Sequence, residues 1–252
     1  MAWTRRYEGE EPQRVNRWLA QSGVCSRREA EALIAEGLVL IDGQPVEDAG
    51  RKILPGQTLV LADRADQRAA FTAVIHKPVG IVSAQPERGQ TPAARLLTRD
   101  ALWGESDLIP GADASLPALG RLDMDSRGLL ILSEDGVLAK AVIGPESRLD
   151  KEYRVRVTGE VTEARLALLR HGLRLDGRVL KRADVSVIGK QRLRFVLTEG
   201  RNRQIRRMCE LVDLAVTDLL RVRIGPLKLG ELPDGRWRRL TPEERAAMLL
   251  AS

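Results

Sequence analysis

Residues 120–136 read GRLDMDSRGLLILSEDG, a polar turn that leads into an apolar run and ends in a second polar turn. The run at 129–132 is short and apolar at every position, which is typical of a buried strand. Asp123 and Asp125 lie one residue apart on the turn before it. From these residues alone the carboxylates are turn formers, ligands for Mg²⁺ or a catalytic group, and the three interpretations stay open.

Downstream, Tyr153, Val155 and Val157 alternate with Arg154 and Arg156, which indicates a strand with one buried face. A core position is the simplest explanation for Tyr153. Further elements are predicted on both sides: strands at 73–75, 185–188, 193–197 and 219–224, and helices at 162–169, 203–212 and from Thr241 onward. Strands mixed with helices predict an α+β fold from residue 72 onward.

The segment EGRNRQIRRM, residues 199–208, places four arginines within seven residues at a predicted helix start that follows a glycine. Arginines in this position either attract phosphate or pair with a buried carboxylate. The residues alone do not decide between these two roles.

Residues 13–62 form a separate predicted module of two helices followed by short strands. The first helix ends at Gly23, and a capping box of Ser26 with Glu29 begins the second, which ends at Gly37. Asp42-Gly43 is typical of a tight hairpin turn. Residues 63–71 are charged and without periodicity, so we interpret them as a linker.

Arg14, Arg17, Arg27 and Arg28 lie on helix surfaces that the apolar stripes leave free. They form either a solvated charged face, which the residues alone favour, or a footprint for RNA phosphates. The stretch RVNRWLAQSGVCSRREAEALIAEGLVLIDGQPV, residues 14–46, resembles the S4-like RNA-binding domain. That resemblance reverses the preference and favours an RNA footprint.

The composition narrows the chemistry available to the chain. Its formal net charge of +6 fits a polyanionic partner, although a basic protein without such a partner fits equally well. The sequence contains only two histidines and two widely spaced cysteines, Cys25 and Cys209. It therefore offers few residues for a zinc site or a Ser-His-Asp triad. We expect both cysteines to be reduced and half-buried in helices. No apolar run long enough for a bilayer and no signal peptide is recognised, which predicts a cytoplasmic protein without membrane contact.

Several segments in order resemble the bacterial rRNA pseudouridine synthase family that carries an N-terminal S4-like domain. They are HKPVG (76–80), GRLDMDSRGLLILSEDG (120–136), KEYRVRV (151–157), EGRNRQIRRM (199–208) and LLRVRIGPLKLGELPDGRWRRLT (219–241). The resemblance implies a small helix-helix-strand RNA-binding domain at 13–62. It also implies a larger catalytic domain at 72–252, built on a mixed, mainly antiparallel sheet.

The resemblance also assigns site residues. Asp123 matches the catalytic aspartate, Tyr153 the active-site tyrosine, and Arg206 the basic residue that pairs with the aspartate, with Arg203 as the competing choice. Leu220 matches a leucine that lines the uracil pocket. We further expect substrate contacts from Arg121 and Leu122, and RNA contacts from Lys77, Arg201 and Arg203.

The activity implied is isomerisation of one uridine in structured RNA to pseudouridine. Uracil can leave as a stabilised anion, so one carboxylate suffices, and no cofactor or metal is expected. HKPVGIVS and RNRQIRRMCE look most like the large-subunit rRNA branch, with small-subunit rRNA and tRNA as alternatives. We expect a monomer. The competing functions are a non-catalytic RNA-binding protein of the ribosome and an RNA N-glycosylase that releases free uracil.

Overall fold

The computed structural model describes residues 3–25, 27–62, 70–110 and 116–252. The chain divides into two compact units, residues 1–71 with 134–140 and residues 72–133 with 141–252. Ser26 of the predicted capping box and residues 63–69 of the predicted linker lie outside the described residues.

The N-terminal unit packs two helices against short strands. The helices are α1 (Val15–Gln21) and α2 (Arg27–Ala35), and the strands are β1 (Trp3–Arg6), β2 (Gln13–Arg14), β3 (Val39–Ile41), β4 (Gln44–Pro45), β5 (Lys52–Ile53) and β6 (Thr58–Leu61). Four of these strands form an antiparallel sheet in the order β1-β6-β3-β4. The turn between β3 and β4 has positive φ at Asp42 (50°) and Gly43 (80°), as the predicted hairpin turn requires.

The C-terminal unit is built on an eight-stranded sheet, and two further strand pairs, β8 with β9 and β12 with β13, lie outside that sheet. The strands of the unit are β7 (Thr72–Lys77), β8 (Ile81–Val82), β9 (Thr91–Pro92), β10 (Arg127–Ser133), β11 (Lys151–Thr158), β12 (Arg174–Leu175), β13 (Arg178–Val179), β14 (Asp184–Gly189), β15 (Arg192–Leu197), β16 (Ala215–Ile224), β17 (Leu227–Lys228) and β18 (Trp237–Arg239). The order across the large sheet is β14-β15-β11-β16-β10-β7-β18, with β17 beside β16. Only the pair β10–β16 in this sheet is parallel among the described residues, so the predicted mixed, mainly antiparallel sheet is confirmed.

The remaining helices are α3 (Gly136–Ile143), α4 (Glu163–Arg170), α5 (Gln204–Glu210) and α6 (Pro242–Leu250), with a 3₁₀ turn at Ala93–Leu96. Thr162 caps α4, and Thr241 with Glu244 forms a capping box at the start of α6, the helix predicted from Thr241 onward. Helix α5 begins one residue later than predicted because Arg203 adopts a left-handed backbone, with φ of 48°, and it ends two residues earlier, at Glu210. None of the helices in the described ranges is both long and apolar enough to cross a membrane.

The two halves of the large sheet differ in burial. Strands β7 and β10 are buried along almost their whole length. In contrast, β11 and β15 alternate between buried and more exposed positions. Their buried side chains form one apolar core with α4 and α5, which includes Val155, Phe195 and Met208. One face of this half therefore packs against helices, while the alternate residues point away from that core.

The two cysteines differ from the sequence-based expectation. Both are free thiols and both are fully buried rather than half-buried. Cys209 lies in α5, but Cys25 lies between α1 and α2 rather than within a helix. Burial raises the pKa of each thiol to about 12, so neither is a reactive thiolate near neutral pH.

Candidate active site

The loop before β10 presents Asp123 at the edge of a pocket. The Leu122 backbone N–H donates to Ser83 Oγ at 2.8 Å, and Leu122 O lies 2.7 Å from the same hydroxyl, which donates to it. The Gly80 N–H donates to Met124 O at 2.8 Å. The Ser126 N–H closes the turn onto Asp123 O at 3.1 Å. The backbone on both sides of Asp123 is therefore fixed, while its side chain stays 35% exposed.

Two arginines from the start of α5 meet this loop in different ways. Arg203 Nη1 lies 3.7 Å from Asp123 Oδ2, and its guanidinium also forms two hydrogen bonds to the Asp125 carboxylate at 3.1 and 2.9 Å. Arg206 instead donates to Asp125 O at 2.8 Å and to Val216 O at 3.3 Å. The Arg206 Nε atom is 3.3 Å from Asp125 Oδ2.

The basic partner of Asp123 in this structure is thus Arg203, the competing choice, and the pairing of Arg206 with Asp123 is corrected. The side chain of Arg206 is only 10% exposed, and its guanidinium is engaged by the backbone of the loop through Asp125 O. The left-handed backbone at Arg203 is strained for a residue other than glycine, at a cost of about 1–2 kcal/mol. Hydrogen bonding from Arg203 holds the pKa of the Asp125 carboxyl below its usual range.

A pocket of about 590 Å³ brings most of the predicted site residues together. Those that line it are Arg121, Leu122, Asp123, Tyr153, Arg201, Arg203 and Arg206. This volume falls within the range of about 300–1,000 Å³ that is typical of small-ligand sites. Residues far apart in sequence therefore converge on one concave surface.

Leu220 is not part of this pocket. Its neighbours Leu219 and Arg221 line the pocket, whereas Leu220 lines a groove elsewhere on the same sheet. Successive residues of a strand point to opposite faces, so only one residue of the Leu219-Leu220 pair can face the pocket. The expectation for Leu220 is therefore wrong, and Leu219 is the leucine that lines the pocket.

Sequence reasoning missed Arg221, which is 1% exposed. Its Nε donates to Leu129 O at 2.8 Å, and its terminal nitrogens donate to Arg121 O at 3.3 Å and Gly120 O at 3.4 Å. The side chain thus ties β16 to the start of the Asp123 loop. The available signal was an arginine within the predicted strand at 219–224, directly after two leucines.

Lys77 is fully buried, which contradicts the expectation that it contacts RNA. It lies at the end of β7, and its ammonium donates to Pro78 O at 2.8 Å and Ile81 O at 2.7 Å. Burial lowers the pKa of Lys77 to about 8, although nearby Asp123 and Asp125 favour its charged form. Lys77 therefore shapes the HKPVG turn from inside the protein.

We expect the buried Lys77 ammonium to make stability depend on pH. Its pKa is lower in the folded state, so the unfolded chain binds more protons between pH 8 and 10.5, and stability rises with pH across that window. The free energy of unfolding of the wild type minus that of Lys77→Met should increase by about 2 kcal/mol from pH 8 to pH 10. Urea unfolding at several pH values measures this difference, and parallel curves would contradict the assignment.

The predicted RNA-contacting arginines lie in several environments. Arg14, Arg17 and Arg27 are exposed on the N-terminal unit, and the Arg28 side chain lies outside what the structure describes. Arg201 is held by the protein itself, since it donates to Leu175 O at 3.0 Å.

Comparisons with known proteins agree with this architecture. The sequence model of the RNA pseudouridylate synthase family matches residues 72–211, and that of the S4 domain matches residues 13–59. An uncharacterized RNA pseudouridine synthase of Aquifex aeolicus is 32% identical over 245 residues, which cover 94% of each chain. The dual-specificity RNA pseudouridine synthase RluF of Escherichia coli K12 is 35% identical over 92% of this chain and 76% of that protein.

A crystal structure of a pseudouridylate synthase shares the fold, with a TM-score of 0.63 and 23% identity over 93% of this chain and 99% of that chain. The family match covers more than half of the sequence, and the Aquifex relative matches nearly all of it. The chain belongs to the RNA pseudouridylate synthase family and carries an S4 domain before its catalytic domain.

Proposed function

We propose that this chain converts a uridine of large-subunit rRNA to pseudouridine, with Asp123 as the carboxylate that reacts at the ribose. The observation that carries the proposal is the position of Asp123, which lines the pocket together with Tyr153 and lies at ion-pair distance from Arg203. The other acid of the pocket, Glu199, is engaged, since its Oε1 accepts from Lys181 N at 2.9 Å and from Gln204 Nε2 at 3.2 Å. Asp123 is therefore the better placed acid for reaction.

The chemistry suits a single carboxylate. The N1–C1′ bond of uridine breaks, the uracil turns, and C5 joins C1′. C5 then loses its proton and N1 gains one, so that the product is an isomer of the substrate. Glycosidases normally need two carboxylates, but uracil leaves as a resonance-stabilised anion and needs no acid to protonate it. Asp123 either attacks C1′ or removes the 2′ proton, and both routes require it to be ionised. Arg203 places a positive charge beside this carboxylate, with its Nη1 atom 3.7 Å from Asp123 Oδ2.

The remaining pocket residues have roles in holding the base. A uridine must leave its stack to enter the pocket, at a cost of a few kcal/mol that RNA contacts elsewhere offset. Leu122 and Leu219 supply apolar surface, and the ring of Tyr153 can stack on the extruded uracil while its hydroxyl takes part in proton transfer. Water must be excluded when the pocket is filled, because it would otherwise hydrolyse the sugar.

Several observations support RNA as the substrate and rRNA in particular. The chain has a net charge of +6, and its S4 domain exposes Arg14, Arg17 and Arg27. Relatives are named RNA pseudouridine synthases, one of them with dual specificity. The likeness of HKPVGIVS and RNRQIRRMCE to the large-subunit branch favours that rRNA over small-subunit rRNA and tRNA. The proposal includes action as a monomer in the cytoplasm.

The test uses unmodified transcripts of large-subunit rRNA, small-subunit rRNA and tRNA. After incubation with the protein, carbodiimide treatment and reverse transcription should give a new stop at a uridine of the large-subunit transcript. Tight binding without a new stop would instead identify a non-catalytic RNA-binding protein. Release of free uracil would identify an N-glycosylase.

A further inference from the structure

Strands β11 and β15 place arginines directly opposite one another. Arg154 pairs in register with Arg194, and Arg156 pairs with Arg192. Like charges at directly opposite positions of an antiparallel pair destabilise a sheet. Two consecutive pairs of this kind on one face are therefore a cost to folding, which an anion bound over them would remove.

These four arginines border a groove of about 520 Å³. Arg127 also lines it, together with the acids Glu152 and Asp218. Both acids are engaged, since Arg127 forms two hydrogen bonds of 2.8 Å to Asp218, and Arg194 lies 3.2 Å from Glu152.

The protein neutralises only part of the positive charge of the groove. Five arginines and two acids line it, and Arg194 also forms an ion pair of 2.6 Å with Asp184, which lies outside the lining. Within the part of the chain that the structure describes, Arg154 and Arg192 have no carboxylate partner, and both are exposed. Arg156 is also exposed and lies opposite Asp218, which Arg127 already binds.

The groove lies on the sheet face opposite the Asp123 pocket. Tyr153 and Leu219 line the pocket, whereas the adjacent residues Arg154 and Leu220 line the groove. Because successive residues of a strand point to opposite faces, the two depressions share strands but not a surface. A ligand in the groove therefore does not enter the pocket.

We propose that this groove, lined by Arg127, Arg154, Arg156, Arg192 and Arg194, binds a second segment of the backbone of the substrate RNA. Guanidinium groups match phosphate oxygens with two parallel hydrogen bonds, and a row of them along two strands suits a ligand with regularly repeated charges. The inference rests on the proposed function, because it takes a large structured RNA as the substrate. Such an RNA can reach both faces of the sheet.

The test compares three double variants with the wild type for binding to an unmodified large-subunit rRNA transcript at several KCl concentrations. Arg154→Gln with Arg192→Gln removes one charge from each opposed pair. We expect its affinity to fall at least about tenfold at 0.1 M KCl, and the slope of log K against log salt to decrease by about two.

Two controls make the result specific. Arg154→Lys with Arg192→Lys keeps both charges and should keep most of the affinity and the salt slope. Arg88→Gln with Arg99→Gln removes two charges from exposed residues that line neither depression, and its affinity should fall less than threefold. The Gln substitutions remove the repulsion within the opposed arginine pairs. The denaturation midpoint of the Arg154→Gln, Arg192→Gln variant should therefore be equal to that of the wild type or higher.

Equal affinity and equal salt slope for the Arg154→Gln, Arg192→Gln variant and the wild type would overturn the proposal, and so would an equal loss in the Arg88→Gln, Arg99→Gln control. If the groove binds a partner other than RNA, the variant and the wild type will show equal affinity and equal salt slope. Pseudouridine formation by the wild type on the same transcript tests the proposed function separately. If the wild type forms no pseudouridine, the binding comparison still decides whether the groove binds RNA.

Discussion

Asp123→Asn should lower pseudouridine formation by about a thousandfold or more while RNA affinity changes less than about threefold. The substitution keeps the shape of the side chain but removes the charge that either attack on C1′ or removal of the 2′ proton requires. The hydrogen bonds of the Ser83 hydroxyl and of the Gly80 and Ser126 backbone N–H groups to this loop do not involve the Asp123 carboxylate, so the loop should keep its conformation. Only the reactive group is lost.

Single-turnover assays on the unmodified transcript, beside equilibrium binding of the same RNA, separate the two effects. Asp125→Asn is the matched comparison, since it removes one negative charge two residues away, from a side chain that also binds Arg203. We expect that variant to keep measurable turnover, with a reduction because Arg203 loses an anchor. Multiple turnover by Asp123→Asn, or an equal loss in both variants, would show that Asp123 is not the reacting carboxylate.

The elements that the sequence predicted well are those set by local chemistry. The positive φ angles at Asp42 and Gly43, the capping box of Thr241 with Glu244, and the apolar strand at 129–132 follow from a few neighbouring residues. The convergence of Asp123, Tyr153 and the α5 arginines on one pocket depends on a strand order that was not predicted. Only the family resemblance assigned these residues to one site.

The expectations that failed depend on the direction in which a side chain points, rather than on residue type. Leu219 and Leu220 are chemically identical, and the strand pairing decides which of them faces the pocket. Irregular pairing of β11 with β16, including a shift between Arg156 and Val157, makes that direction unreadable from alternation alone. Lys77 looks like a surface cation in the sequence, but the carbonyl groups that satisfy it are brought together only by the folded turn.

Gly128→Ala is expected to destabilise the protein by about 3 kcal/mol or more. Gly128 lies where β10 pairs in parallel with β16, opposite Arg221, and its φ is 115°. A Cβ atom at this position would lie 2.3 Å from Arg221 O and 2.7 Å from Arg221 N. Both are backbone atoms and cannot rotate away, so the strands must separate or Gly128 must change conformation.

Gly104→Ala separates the clash from the strain of the left-handed region. Gly104 has φ of 91° but nothing within 4 Å of the added Cβ, so its substitution carries the conformational cost alone, about 1 kcal/mol. Thermal unfolding of both variants should show a loss in midpoint for Gly128→Ala of about 6–12 °C, and a much smaller loss for Gly104→Ala. Equal losses would mean that close packing against Arg221 is not why glycine is required.

The Gly128→Ala variant also tests how the pocket is held in place. The backbone of Arg221 pairs with Gly128, while its side chain reaches the carbonyl groups of Gly120 and Arg121 at the start of the Asp123 loop. Separation of β10 from β16 should therefore displace this loop, and turnover should fall even at temperatures where the variant stays folded. Full turnover by folded Gly128→Ala would show that the loop is positioned by Ser83 and Gly80 alone, without Arg221.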